Sequence, residues 1–73
     1  MMGEEKCWAG LVPLNCDLCH GVIGSTFVDG RTTQGPWGCL CPQCHSRYGV
    51  GLGTGRGQRY DKQADGRWLK TAG

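Results

Sequence analysis

Cys16-Asp17-Leu18-Cys19-His20 and Cys41-Pro42-Gln43-Cys44-His45 decide how this chain can fold. Two Cys-x-x-Cys pairs, 21 residues apart, sit in a chain of 73. Each pair places two sulfurs on one tight turn, near enough to share an ion. Two such turns supply four thiolates, the tetrahedral set that Zn²⁺ takes in structural sites. The spacing between pairs is slightly longer than the usual range of roughly 15–20, which a longer hairpin accommodates. The sequence therefore names Cys16, Cys19, Cys41 and Cys44 as ligands of one structural Zn²⁺. Exchange of one ligand for His20, His45 or Cys39 stays open as a sub-case.

Two rival readings of the same motif fail. Cys-x-x-Cys-His is also a c-type haem attachment signal. Each haem needs axial ligands as well, and two haems would exhaust both histidines. A redox-active Cys-x-x-Cys belongs to a βαβ unit with the thiolate at a helix N-terminus. Cys41-Pro42 resembles that locally, but no sequence is left for the rest of such a fold. Cys7 reads as a free thiol and Cys39 as a small buried hydrophobe.

A staple is expected on physical grounds. A chain of this length buries too little apolar surface to rest on a core alone. Its fourteen glycines raise the entropic cost of ordering the backbone. The expected core is Val12, Leu14, Val22, Ile23, Phe27, Val28, Trp37, Leu40, Tyr48, Leu52, Tyr60, Trp68 and Leu69. Trp8 lies in a polar lead-in, where exposure at a partner surface is the alternative to packing.

Residues 1–10 read as a flexible lead-in and residues 11–73 as a single zinc-ribbon domain with a glycine-rich, basic C-terminal segment. Gly21 suits a knuckle turn with an unusual backbone angle. Residues 22–28 read as a strand, Asp29-Gly30 as a turn whose loop extends as far as Gln34, and residues 35–40 as the return strand. Pro42 opens a short helix over residues 42–48 and Gly49 ends it. Residues 58–61 and 66–70 read as a second hairpin. The fold class is a small metal-stabilised domain: a zinc ribbon, or a treble-clef-like relative if the helix forms, with two β-hairpins and at most one short helix.

Met1 to Cys7 lacks the basic and apolar regions of a secretory signal. No run approaches the ~18 apolar residues of a membrane span. The expected compartment is a reducing cytoplasm, where clustered cysteines bind metal more often than they form disulfides. No membrane partner and no small-molecule substrate are expected.

Charge separates the halves. Lys6 and Arg31 against Glu4, Glu5, Asp17 and Asp29 leave residues 1–44 at −2. Arg47, Arg56, Arg59, Lys62, Arg67 and Lys70 against Asp61 and Asp65 leave residues 45–73 at +4. Four thiolates on one Zn²⁺ would bring the whole molecule near zero, with an acidic metal half and a basic tail. Residues 49–57 carry glycine at every second position. That strict period excludes both a Walker loop and a Gly-x-Gly-x-x-Gly turn. What remains is a basic stretch beside aromatic residues, which suits phosphate contact and base stacking. Arg47, Arg56, Arg59, Tyr60, Lys62 and Arg67 are the candidate nucleic-acid-binding residues. A packed glycine loop with solvated arginines is the plainer alternative.

Gly35-Pro36-Trp37, Cys41-Pro42-Gln43-Cys44 and the string from Gly49 to Tyr60 together resemble a group of small zinc-ribbon proteins of tailed phages and prophages. The resemblance covers residues 14–70. It implies a viral or prophage origin more than an activity, and it supports the same four cysteines as ligands. The chain departs from that group at Cys39, where the group lacks cysteine.

Enzyme activity is not expected. No Ser/His/Asp set is discernible, and four thiolates leave zinc no open position. The expected function is a zinc-binding accessory module of phage origin that binds DNA or RNA through its basic half. The alternative is a factor that binds a host protein, inhibiting or redirecting a polymerase or a defence complex.

Overall fold

The computed structural model describes residues 6–73. Four strands form one antiparallel sheet: β1 (Thr26–Arg31), β2 (Trp37–Leu40), β3 (Gly57–Lys62) and β4 (Trp68–Ala72). One helix, α1 (Pro42–Tyr48), lies between β2 and β3. The strand order is β2-β1-β3-β4, so the two expected hairpins join through β1 and β3.

The helix forms where its brackets predict. Cys41 is its N-cap with an extended backbone, Pro42 opens it, and the Gly49 N–H donates to the His45 carbonyl. Pro costs nothing at this position, because its missing N–H would have no partner there.

Asp29-Gly30 is not a turn. Both residues lie inside β1, paired with Cys39 and Gly38. The competing force is close packing. A Cβ at Gly30 would stand 3.0 Å from the Arg56 carbonyl oxygen and 3.3 Å from the Gly57 Cα. Glycine is needed there for the approach of two backbones, not for a turn. The chain reverses later, through residues 32–36. The Thr32 N–H and hydroxyl both donate to the Pro36 carbonyl, and the Gly35 N–H donates to the Thr32 carbonyl. The expected strand over 22–28 accordingly starts at Thr26, while Val22 makes only an isolated bridge to Asn15.

Consecutive strand residues face opposite sides, so each face of the sheet has its own core. Phe27 and Trp68 are buried on one face with Ile23, and Trp8, Val12, Cys39 and Tyr60 pack around them. Leu40 is buried with Cys16 and Cys44 on the other face, beside Cys41. Trp8 is a core ring, not a surface one. Its centroid lies 5.2 Å from Phe27 and 5.3 Å from Tyr60, both edge-on. The segment that carries it is tied to β4, since the Trp8 N–H donates to Trp68 and the Lys70 N–H donates to Lys6. The rest of the expected lead-in, residues 1–5, lies outside the described residues.

Four expected core residues are not in a core. Leu14 is 78% exposed and Val22 82%, and Trp37 and Tyr48 also stand out from the surface. Leu14 and Val22 sit on the short ladder around the first knuckle, where no element packs over them. Of the remaining choices, Ile23, Phe27, Val28, Leu40 and Trp68 are buried, and Val12, Leu52, Tyr60 and Leu69 are half-buried.

Candidate metal centre

The first Cys-x-x-Cys forms a loose turn held by its own backbone. The His20 N–H donates to the Cys16 carbonyl at 2.9 Å. His20 then adopts a left-handed backbone, φ 63°. The unusual angle expected at Gly21 therefore falls one residue earlier. Its strain is relieved locally: the His20 carbonyl accepts from the Asn15 amide at 3.0 Å.

The second Cys-x-x-Cys is the first turn of α1. Cys41 caps the helix with its sulfur, which accepts from the Cys44 N–H. The hairpin β1–β2 carries Cys41 back to the first knuckle. Asp17 fastens the two together, accepting from the Cys39 N–H at 2.7 Å while its own N–H donates to the Cys39 carbonyl at 2.9 Å. A Cβ at Gly38 would press on Asp17 at 3.1–3.2 Å, so the small residue keeps this contact open.

As a result the sulfurs of Cys16, Cys19, Cys41 and Cys44 all lie within 4.8 Å of one another. Cys19 and Cys41 approach to 3.8 Å. Metal–sulfur bonds of about 2.3 Å at tetrahedral angles place sulfurs about 3.8 Å apart. The arrangement fits one metal ion, Zn²⁺ among those a thiolate set accepts.

The electrostatics agree. Backbone N–H groups of Leu18, Gly21 and Cys44 point at the sulfurs of Cys16, Cys19 and Cys41, at 3.4–3.5 Å. Burial alone raises the Cys16 thiol. Hydrogen bonds from the backbone of Cys19, Cys41 and Leu18 outweigh it and bring the thiol down to about 6. Burial pushes Cys44 up to about 12, helped by hydrogen bonds with Cys16, Cys41 and Cys19. The pair behaves as one negative charge shared by buried sulfurs, and a cation is its natural counterpart.

Cys39, His20 and His45 stand outside this cluster, the one such group among the described residues. Burial, then the charges of Asp29, Asp17 and Cys16, pushes the Cys39 thiol up to about 11. It behaves as the small hydrophobe expected. A carbonyl can only accept, so His45 carries its proton on Nε2 and donates to the Gly51 carbonyl at 3.0 Å. Cys7 is an exposed free thiol 4.0 Å from the Arg67 guanidinium.

The structure divides the candidate nucleic-acid residues. Arg59 pairs with Asp61 at 3.1 Å and Arg67 with Asp65 at 2.8 Å. Tyr60 does not stand beside Arg59 as a stacking ring. Adjacent strand residues face apart, and its ring stacks on Phe27 at 5.3 Å. Lys62 lies at the far end of β3, where its N–H meets Ser25. Arg47 lies on α1 and lines a cleft of about 470 Å³ with Tyr48, Leu18 and Cys19, beside the cysteine cluster. Arg56 folds over the glycine loop, its Nη2 3.1 Å from the place a Gly53 Cβ would take.

Sequence reasoning missed Arg31. It ends β1 with its N–H on the Arg56 carbonyl at 2.9 Å. The charge count had placed it in the acidic half, and only the pairing of β1 with the glycine loop brings it to the basic one.

No family model matches this chain, and neither does any curated protein or solved structure. No helix of the described residues is long and apolar enough to cross a membrane.

Proposed function

We propose that this protein is a non-enzymatic module, stabilised by one structural Zn²⁺, that binds nucleic acid through one pole of the molecule. Zinc is the choice because four thiolates at tetrahedral spacing form the closed set that structural zinc takes. When bound, the ion fixes the four sulfurs and neutralises part of their charge. A knuckle, a hairpin and a helix opened by the second knuckle make the treble-clef-like form the better description of the fold. A closed sulfur set offers no open position for a substrate, which favours a binding role over catalysis.

The observation that carries the nucleic-acid reading is that Arg31, Arg47 and Arg56 belong to elements joined at one end of the sheet. Arg31 is bonded through its backbone to Arg56, and Thr33 donates to the carbonyl of Tyr48, next to Arg47, at 2.7 Å. Three exposed cations from β1, α1 and the glycine loop thus share one end of the sheet. None has a carboxylate partner among the ion pairs of the described residues, unlike Arg59 and Arg67. Cations without carboxylate partners at one end of the molecule are what a phosphate backbone needs.

The test is binding of labelled oligonucleotides to the zinc-loaded protein across a salt series. Affinity falls steeply with salt, and Arg47→Gln with Arg56→Gln weakens it across all sequences. Unchanged affinity in that double variant sinks the assignment. A viral or prophage origin, and with it action in the host cytoplasm, belongs to this reading and rests on the resemblance alone.

One observation favours the second reading, a host protein as partner. Leu14 and Val22 are both exposed on the short ladder beside the first knuckle. A nuclease-resistant pull-down that Leu14→Ser with Val22→Ser abolishes would select it.

A further inference from the structure

Six aromatic rings are present, and four of them spend themselves on one another. Trp8, Phe27, Tyr60 and Trp68 form a cluster with centroids 5.2–5.3 Å apart. Trp37 and Tyr48 are left out, 49% and 39% exposed. A lone exposed ring on a protein surface needs no explanation. Here Trp37 stands at the end of the sheet where Arg31 is joined to Arg56.

Trp37 opens the outer strand β2 and lies directly opposite Arg31 in the register of β1 and β2. Opposite residues of an antiparallel pair share a face, with Cβ atoms about 4.5–5.5 Å apart. The ring and the guanidinium are thus neighbours on one surface. Asp29, two residues back on that face, is half-buried and held above its usual range by burial. Tyr48 ends α1 and is joined to the turn between β1 and β2 by its carbonyl. Arg47 precedes it, and the two line one cleft. The Trp37–Arg31 pair therefore lies on the aromatic face of the sheet, while Arg47 and Tyr48 belong to the helix packed on the other face.

We infer that this end of the sheet is a stacking platform for single-stranded nucleic acid. The inference rests on the nucleic-acid reading above and narrows it. Phosphate contact alone needs only the arginines. A half-exposed tryptophan adds something where a base face is free to stack on it, and a duplex hides its base faces. Arg31 and Arg56 hold the phosphates of the strand, while Trp37 stacks with one base. The stacking term is tolerant of sequence, because every base has a flat face.

The experiment compares fluorescein-labelled 12-mer single strands of thymidine and of uridine with a 12-bp duplex, using zinc-loaded protein. Wild type, Trp37→Phe, Trp37→Leu and Arg31→Gln are measured at two salt concentrations, each variant's metal content being counted first. Wild type binds the single strands more tightly than the duplex, and its tryptophan emission is quenched on binding. Trp37→Phe keeps that preference, while Trp37→Leu loses about tenfold or more on single strands and little on the duplex. Arg31→Gln weakens both and lowers the salt slope by about one. Equal binding by Trp37→Leu and wild type, or a wild type that prefers duplex, overturns the platform and leaves the broader reading standing. If Trp37→Leu fails to hold zinc, an unquenched wild-type emission at saturation overturns it equally. A wild type that binds none of the three probes overturns both readings.

Discussion

A Cβ at Gly49 would sit 2.3 Å from the Cδ2 of His45 and 2.6 Å from the His45 carbonyl oxygen. The backbone there is extended, φ −78°, which any residue adopts. The glycine is required by His45, whose ring and carbonyl oxygen both occupy the space a Cβ would take. That ring crosses over the end of α1 to hold the Gly51 carbonyl, and so anchors the glycine loop to the helix that carries Cys41 and Cys44. Gly49→Ala should push the ring out, break that bond and cost about 1–3 kcal/mol. Urea unfolding of the zinc-loaded variant measures it, and a midpoint equal to wild type would refute the anchoring role. The period-two glycines were legible as a feature that excludes phosphate loops. The reason for this glycine was not, because it depends on a side chain four residues away in sequence.

The elements were legible in proportion to how local their causes are. The helix follows from Pro42 and Gly49, and the second hairpin from Asp65-Gly66 between two bulky segments. The four cysteines could be named because two tight turns are complete within the sequence. β1 was misjudged at Asp29-Gly30, because Gly30 answers to the distant backbone of Gly57 and not to its neighbours. Strand alternation told which residues share a face but not how far along it the core reaches, so Trp37 of the expected core is exposed, while Tyr60, named for both the core and nucleic acid, packs in the core. The sheet also has a polar clasp that no motif announced. Asp61 of β3 accepts from the hydroxyls of Thr26 in β1 and Thr71 in β4, and pairs with Arg59. Burial alone would raise the Asp61 carboxyl, but the bonds from Thr26, Thr71 and Arg59 outweigh it and hold the group below its usual range. A carboxylate lowered in the folded state adds stability that is fully present above its ordinary value near ~4. That stability is lost as pH falls through the lower, folded value. Asp61→Asn should cost about 1–2 kcal/mol at pH 7. The difference from wild type should hold steady from pH 8 to 5 and shrink below about pH 4. Acid also strips the metal and would unfold both proteins, so the comparison is confined to pH values at which both still hold it, the metal being counted at each point. A gap that widens on acidification would reverse the sign and refute the clasp.

On the scale of the whole molecule, the metal centre and the aromatic cluster are two cores on opposite faces of one sheet. They are coupled through β1, whose consecutive residues Phe27 and Val28 are both buried, one toward each face. Asp17 and Cys39 add a second coupling, joining the first knuckle to β2. Neither core is large: the aromatic face buries Ile23, Phe27 and Trp68, and the sulfur face Val28 and Leu40 with two cysteines. Without an ion, Cys16 and Cys44 leave charge and thiol buried against each other with no counterion, which costs free energy. Removing the metal should therefore release α1 and the first knuckle, then β2 and β1, and with them the aromatic cluster. Chelator titration should show one transition, in which near-ultraviolet dichroism from the clustered rings vanishes together with the metal. Cys44→Ser should start in that unfolded state even in excess zinc, since a buried hydroxyl replaces the thiolate. A ring signal that survives complete chelation would show that the aromatic face folds by itself, and the metal would then serve the site and not the fold.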